Sequence, residues 1–138
     1  MRKIYTELAK AAQEAKSFAH APYSKFRVGA ALLTKSGKVY TGCNVENSSY
    51  SLTICAERTA IFKAISEGQY RFKAIAVSSD DPGFTPPCGA CRQVLIDLAG
   101  NIDFVMVNAK RHVKIVPLKT LVPLAFTNKN LQRSKKKK

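Results

Sequence analysis

Three cysteines and one glutamate stand out because their spacing suits a metal centre that does chemistry. Cys55 and Glu57 lie two positions apart in one stretch, and Cys88 and Cys91 form a Cys-x-x-Cys pair in another. Structural zinc sites are normally closed by four protein ligands, whereas catalytic sites use three and leave the fourth position to water. Three sulfurs beside one carboxylate therefore predict a hydrolytic zinc centre, in which Glu57 moves protons to and from the attacking water.

The position of both cysteine motifs at predicted helix starts supports this interpretation. A Cys-x-x-Cys pair by itself is equally typical of a redox site. Partial positive charge at a helix N-terminus favours thiolate over thiol, which is the form that binds a metal. Cys88 and Cys91, on one first helical turn, are expected to face the same way and share an ion with Cys55 of the neighbouring helix.

The elements that must position these residues follow from the hydrophobic pattern. It predicts helices over 2–19, 55–68 and 88–100, and strands over 26–34, 39–45, 72–78, 102–107 and 113–116. The link over 108–112 is too short for a parallel crossover, which needs a dozen or more residues. The last two strands are therefore predicted to be antiparallel neighbours.

Longer motifs surround the cysteines in a fixed order. They are Phe26-Arg27-Val28-Gly29-Ala30-Ala31-Leu32, Cys43-Asn44-Val45-Glu46-Asn47, Cys55-Ala56-Glu57-Arg58-Thr59-Ala60, Pro87-Cys88-Gly89-Ala90-Cys91-Arg92-Gln93-Val94 and Leu121-Val122-Pro123-Leu124-Ala125-Phe126. With them the chain resembles, from Ile4 to Phe126, the small homotetrameric cytidine deaminases of nucleoside salvage. It departs from that family at Pro86, where the family usually has Ser, and in its basic C-terminal tail.

The resemblance implies a fold and a reaction. The fold is α/β, a three-layer α/β/α sandwich around a mixed five-stranded sheet, with the last two strands antiparallel. The reaction is zinc-dependent hydrolysis of cytidine and 2′-deoxycytidine to uridine and 2′-deoxyuridine, with release of ammonia. Glu57 would deliver a proton to N3 of the pyrimidine and then help to protonate the departing amine.

Arg58 is expected to tune the metal centre. Three thiolates around one Zn²⁺ leave a net negative charge, which opposes ionisation of a bound water. The resemblance implies that Arg58 donates hydrogen bonds to ligand thiolates and withdraws charge from them. The alternative is an ordinary solvated helix charge, and Arg92 is a second candidate for the same task.

The substrate residues come from the other motifs. Asn44 and Glu46 lie two apart on an extended segment, so their side chains emerge on one face, and the resemblance assigns them to the ribose hydroxyls. Without that context they read as an exposed polar strand edge. Phe26 reads as core by composition and as a wall of the nucleoside pocket by resemblance, and Ala56 would offer backbone groups to the base.

Tyr50 and Phe126 resemble residues that reach an active site from neighbouring subunits. Phe126 would lie against the pyrimidine ring. For either residue alone, core packing is the alternative interpretation. The expected homotetramer with shared active sites rests on the family resemblance, since neither composition nor periodicity indicates oligomerisation.

Composition limits the organisation of the chain and its setting. The 138 residues suit one domain, expected over 1–127, followed by a basic tail over 128–138 that carries six of the fourteen net positive charges and is expected to be disordered. The tail reads as a solubiliser or as a nonspecific contact for nucleic acid or another acidic partner.

No apolar stretch approaches the ~20 residues of a membrane span, and no signal peptide is apparent, so a cytoplasmic protein is expected. Cys43 then remains as a small buried thiol.

Three rival functions share some of these features. A deaminase of a modified cytosine nucleoside, such as blasticidin S, would keep the zinc motifs, but the motif from Asn44 to Asn47 favours an ordinary ribose. A polynucleotide cytidine deaminase would suit the charge, but the short link over 108–112 opposes it. A noncatalytic zinc module would have no need of Glu57.

Overall fold

The computed structural model describes residues 2–136. Within these residues, four helices and five strands follow one another: α1 (Lys3–Lys16), β1 (Val28–Thr34), β2 (Val39–Cys43), α2 (Ala56–Ser66), β3 (Phe72–Ser79), α3 (Gly89–Ala99), β4 (Asp103–Val107), β5 (Val113–Pro117) and α4 (Asn128–Lys136). Two short 3-10 turns cover Tyr50–Leu52 and Leu118–Leu121. Within the described residues, no helix combines the length and the apolar character needed to cross a membrane.

The strands form one mixed sheet in the order β2-β1-β3-β4-β5. The pair β3 and β4 is parallel, and the other three pairs are antiparallel. The prediction that the last two strands are antiparallel is confirmed. Their tight link is held by the Asn108 side chain, whose Oδ1 accepts hydrogen bonds from the backbone N–H groups of Lys110 at 3.0 Å and His112 at 2.8 Å.

Helices cover both faces of the sheet, which confirms the predicted three-layer sandwich. On one face α1 packs against alternate strand residues, and this layer buries Leu8, Ala12, Leu33 and Val105. The other face carries α2 and α3, with Ile61 and Leu95 packed against Leu32, Ile75 and Phe104. Because side chains alternate across a strand, each central strand is apolar on both faces, as sheets covered on both sides require.

The start of α2 packs in close contact with β2. A Cβ atom added at Gly42 would lie 2.6 Å from the Ala56 carbonyl oxygen and 2.7 Å from the Ala60 nitrogen. Only glycine permits this approach of backbone to backbone. Since Ala56 is the first residue of α2 and directly follows Cys55, this contact sets the position of the first predicted ligand.

Several element ends differ from the predicted ones. Helix α1 ends at Lys16 rather than at 19, because the Ser17 hydroxyl donates to the Glu14 carbonyl at 2.7 Å and the chain turns there. Strand β2 ends at Cys43 rather than at 45. The predicted stop of α2 at Gly68 is close, since the helix ends at Ser66 and Gly68 has a φ of 87°.

The tail also differs from expectation. A disordered segment was expected over 128–138, but residues 128–136 form α4, so that expectation is corrected for them. The start of this helix is tied down: the Asn128 N–H donates to Asp97 Oδ1 at 3.1 Å, and the Lys129 N–H donates to Thr127 Oγ1 at 3.3 Å. Lys137 and Lys138 lie outside the described residues.

Candidate active site

The starts of α2 and α3 bring the three predicted sulfur ligands together. Cys55 is the N-cap residue of α2 and Cys88 is the N-cap residue of α3, while Cys91 lies in the first turn of α3. Their Sγ atoms all lie within 4.8 Å of one another, and those of Cys55 and Cys88 are 3.7 Å apart. Sulfurs bound tetrahedrally to one zinc ion lie about 3.8 Å apart, given a Zn–S bond of about 2.3 Å. The donor set therefore fits zinc in both type and spacing.

Cys55 lies in surroundings that favour negative charge on its sulfur. The Cys91 N–H donates to Cys88 Sγ at 3.4 Å, and Arg58 Nη2 donates to Cys55 Sγ at 3.5 Å. Hydrogen bonding from Cys91 lowers the pKa of Cys55 to about 5, and Arg58 adds to this effect. The same hydrogen bond with Cys55 raises the pKa of Cys91. One thiolate thus forms easily, and a divalent cation would favour the others.

Arg58 takes the position expected of a residue that withdraws charge from a ligand. Its side chain is partly buried, and its hydrogen bond to Cys55 raises the pKa of the guanidinium. Within the described residues its Nε atom is buried without a hydrogen-bond partner. Arg92, the second candidate, donates instead to the carbonyls of Pro87 at 2.8 Å and Leu121 at 3.0 Å, so it braces the loops beside α3.

Glu57 is a buried carboxyl beside the sulfur cluster. Only 4% of its surface is exposed. Burial raises the pKa of Glu57 to about 7, and the negative charge of Cys55 acts in the same direction. A carboxyl with a pKa near neutrality can both accept and donate a proton, which is the property required of a general acid–base group.

A cavity of about 300 Å³ opens in front of this cluster. It is lined by Cys55, Glu57 and Cys88 of the cluster, and also by Phe26, Asn44 and Glu46. Ala56, which is fully buried, also lines it. The fold thus brings together the predicted metal ligands, the predicted acid–base residue and four of the predicted substrate residues.

Asn44 has an additional structural role that its motif did not reveal. Its Oδ1 accepts from the Val28 N–H at 2.9 Å, and its Nδ2 donates to the Phe26 carbonyl at 2.9 Å. The side chain therefore pairs with the backbone just where β1 begins. Asn44 holds the Phe26 segment in place in addition to facing the cavity.

Glu46 is held by a turn that the sequence analysis did not single out. Its Oε1 accepts from the backbone N–H groups of Tyr23 at 2.9 Å and Ser24 at 3.1 Å, and its Oε2 accepts from the Ser24 hydroxyl. The Ser24 hydroxyl is the largest influence in lowering the pKa of Glu46. The only signal in the sequence was the turn-forming Pro22-Tyr23-Ser24 stretch, which does not identify a site.

Other lining residues also escaped the sequence analysis. Thr53, Ser79 and Thr85 line the same cavity, as does Pro86, which the sequence indicated only as a departure from the family. The Ser79 and Thr85 hydroxyls lie 3.0 Å apart, and Thr85 also donates to Asp81 at 2.9 Å. They come from three separate segments, and only tertiary packing assembles them.

Tyr50 and Phe126 are not among the described residues that line this cavity. Tyr50 is 73% exposed and packs edge to face with Tyr23, their ring centroids 5.6 Å apart. Phe126 is 58% exposed, and its carbonyl accepts from Gln93 Nε2 at 2.8 Å. Core packing, the alternative considered for both, does not describe either residue within one chain.

Comparisons with known proteins agree with this geometry. A family model described as the cytidine and deoxycytidylate deaminase zinc-binding region matches residues 2–108. A cytidine deaminase of Sporosarcina psychrophila is 47% identical over 132 residues, which are 95% of this chain and 94% of that protein. A probable cytidine deaminase of Dictyostelium discoideum is 52% identical over 122 residues, covering 88% of this chain and 82% of the relative. The crystal structure of cytidine deaminase from Burkholderia pseudomallei aligns with a TM-score of 0.86 at 47% identity and covers 91% of this chain and 100% of that one.

Proposed function

The chain belongs to the family of cytidine and deoxycytidylate deaminases, and we propose how its residues carry out the reaction of that family. It is a zinc-dependent hydrolase that converts cytidine and 2′-deoxycytidine to uridine and 2′-deoxyuridine and releases ammonia. The observation that carries the assignment of residues is the meeting of three thiols within 4.8 Å of one another, two of which, Cys55 and Cys88, line one cavity together with the buried Glu57.

Cys55, Cys88 and Cys91 hold the zinc ion. When bound there, zinc lowers the pKa of a water ligand and polarises the site, which supplies a nucleophile at neutral pH. Arg58 donates to Cys55 Sγ at 3.5 Å and so draws negative charge away from the ligand set. This offsets the third thiolate, which would otherwise weaken the acidity of the water.

Glu57 is the acid–base residue. It takes a proton from the attacking water and delivers it to N3 of the pyrimidine as oxygen bonds to C4. It then takes the remaining proton from the oxygen now bonded to C4 and passes it to the exocyclic amine, so that the C4–N bond breaks, the C4 carbonyl of uridine forms and ammonia leaves. Its burial keeps bulk water from competing for the proton, and a pKa of about 7 suits both directions of transfer.

The residues that line the cavity beside the sulfur cluster bind the nucleoside. The Phe26 ring forms a wall for the base, and the small side chain of Ala56 leaves its backbone groups within reach of the base edge. Glu46, kept ionised by its hydrogen bonds, accepts from sugar hydroxyls together with Asn44. A carboxylate that accepts from hydroxyl donors makes charge-assisted hydrogen bonds, which favours a nucleoside with an intact sugar.

The active site is completed by assembly into a homotetramer. The exposure of Tyr50 and Phe126 supports this proposal, since both aromatic rings remain uncovered in one chain. In the tetramer Phe126 of one subunit packs against the pyrimidine in the site of another, where aromatic pairing contributes about 0.5–1.5 kcal/mol beyond burial. Tyr50 reaches a neighbouring site in the same way.

The remaining organisation follows from the same assignment. Residues 1–127 form the catalytic domain, and the basic segment over 128–138 is an accessory that contacts acidic polymers only nonspecifically. The protein acts in the cytoplasm, where the cysteines that the structure leaves as free thiols stay reduced.

The test is ammonia release from cytidine, 2′-deoxycytidine, free cytosine and single-stranded DNA by the zinc-loaded protein. We expect turnover of the two nucleosides, with little for cytosine, because it lacks the sugar, and none for the polymer. Turnover of single-stranded DNA but not of cytidine would overturn the substrate assignment. Blasticidin S is tested as a fifth substrate. Turnover of blasticidin S but not of cytidine would favour the alternative function, a deaminase of a modified cytosine nucleoside.

A further inference from the structure

Ser24 forms hydrogen bonds with both Phe26, which is assigned to the base, and Glu46, which is assigned to the sugar. Its hydroxyl accepts a hydrogen bond from the Phe26 N–H at 3.0 Å and donates one to Glu46 Oε2. Its own N–H donates to Glu46 Oε1 at 3.1 Å. One small side chain thus touches both groups, and it lines the same cavity.

The backbone around Ser24 is bent in a way that serves these contacts. Lys25, the next residue, has a φ of 62°, in the left-handed region that non-glycine residues seldom adopt. The Lys25 N–H donates to the Ala21 carbonyl at 3.0 Å, which closes a turn. Backbone strain of this kind persists where the surrounding contacts determine the conformation, and it is concentrated at functional sites. Here the turn brings the Phe26 N–H to the Ser24 hydroxyl.

The hydrogen bonds to Glu46 also leave room for a ligand. An ionised carboxylate has about four acceptor positions. Tyr23 and Ser24 together occupy three of them with two backbone N–H groups and one hydroxyl. At least one acceptor position remains for a substrate hydroxyl, and the direction in which it points is set by the residues that occupy the others.

We propose that Ser24 is a positioning residue for sugar recognition: its hydroxyl orients the Glu46 carboxylate and couples that orientation to the Phe26 segment. The inference rests on the proposed role of Glu46 at the sugar. Ser24 acts through Glu46, so its contribution is confined to substrates whose sugar hydroxyls Glu46 contacts.

The test compares Ser24→Ala and Ser24→Thr with cytidine and 2′,3′-dideoxycytidine as substrates. The loss of one hydrogen bond to a carboxylate predicts that Ser24→Ala raises the KM for cytidine about tenfold. We expect its kcat to change less than about twofold, because the hydrogen bonds of Ser24 are to Glu46 and the Phe26 N–H, which take no part in the proton transfers, and an effect at the sugar acts on binding. The KM for 2′,3′-dideoxycytidine should stay within about twofold, and Ser24→Thr, which keeps the hydroxyl, should restore the KM for cytidine.

Ser66→Ala is the matched control. Ser66 is an exposed serine at the end of α2 whose hydroxyl donates to the Lys63 carbonyl at 2.7 Å, away from the cavity. The Ser66→Ala substitution also removes a serine hydroxyl but does not affect Glu46, so KM and kcat for both substrates should stay unchanged. An equal KM increase for both substrates in Ser24→Ala, or a fall in kcat with KM unchanged, would refute the inference.

Glu46→Gln separates the inference from the function on which it rests. Suppose that Glu46→Gln raises the KM for cytidine but not for 2′,3′-dideoxycytidine, while Ser24→Ala changes the KM for both substrates equally. The role proposed for Ser24 is then wrong, and the role proposed for Glu46 stands. If Glu46→Gln affects both substrates equally, the assignment of Glu46 to the sugar is wrong, and the role of Ser24 falls with it.

Discussion

Glu57→Gln tests the chemical core of the proposal. The substitution keeps the size and shape of the side chain but removes its ability to exchange a proton. General acid–base catalysis contributes about 10²–10⁴-fold to a rate. Because Glu57 would serve in two successive proton transfers, we expect a loss of about 10⁴-fold in kcat, equivalent to about 5.5 kcal/mol. With only 4% of the residue exposed, bulk water cannot easily replace the missing group.

The assay is ammonia release from cytidine at saturating concentration, with zinc content measured per chain in the same preparation. Zinc should remain bound, because the three sulfur ligands are unchanged. Glu67→Gln is the matched control: Glu67 is an exposed carboxylate just after the same helix, and its variant should retain full turnover. Glu57→Asp offers a graded change, since it keeps the carboxyl but withdraws it by one methylene.

A kcat for Glu57→Gln within about tenfold of the parent, with zinc retained, would refute the assignment of the proton shuttle. Loss of zinc from Glu57→Gln would refute a different part of the reasoning, namely that Glu57 is not itself a ligand. Full activity of Glu57→Asp would indicate that the position of the carboxyl is less demanding than its burial suggests.

Three further predictions concern the ligands, the fold and the assembly. Arg58→Gln should lower zinc affinity or turnover by about 10–100-fold through loss of the hydrogen bond to Cys55 Sγ, and unchanged zinc titration and kinetics would contradict this. Asp80, whose pKa is lowered to about 2 chiefly by its hydrogen bond with Arg27, should stabilise the fold above its unfolded pKa and lose that effect as the pH falls towards 2. Asp80→Asn should therefore cost about 1 kcal/mol in denaturant unfolding at pH 7, allowing for solvent screening, and the difference from the parent should shrink with acid; a constant difference would contradict the ion pairing. Truncation after Thr127 should leave a tetramer by light scattering with full cytidine turnover and a shallower salt dependence of RNA retention, whereas Phe126→Ala should weaken cytidine binding and leave RNA retention unchanged; the opposite pattern would place the tail in the active assembly.

The basic charge does not conflict with a small-molecule substrate. Six of the fourteen net positive charges lie in 128–138, outside the proposed catalytic domain. The remaining excess has no corresponding charge in the cavity, where Glu46 and Glu57 line the wall together with uncharged side chains and the cysteines. An anionic polymer would therefore meet acidic groups at the reaction centre, which favours a neutral nucleoside there.

Features that depend on local spacing along the chain could be predicted from the order of residues alone. A Cys-x-x-Cys pair at a helix start faces one way because of helical geometry, whatever the rest of the chain does. The antiparallel arrangement of β4 and β5 followed from the length of their link, since five residues over 108–112 cannot span a parallel crossover. Glu57 could be singled out because it is the carboxylate nearest the first sulfur.

Other features depended on contacts between distant segments. No local rule places Cys55 Sγ 3.7 Å from Cys88 Sγ, since this follows from the packing of α2 and α3 on the same face of the sheet. Asn44 hydrogen-bonds to the start of β1, and Ser24 hydrogen-bonds to Glu46. Neither contact could be predicted from the motifs in which these residues lie. The start of the helix over 128–136 is held by a hydrogen bond to Asp97 of α3. The composition of residues 128–136 could not indicate this contact. Local spacing determines which groups one segment presents, but the three-dimensional packing of segments decides which groups meet, because that depends on the shape of the whole core.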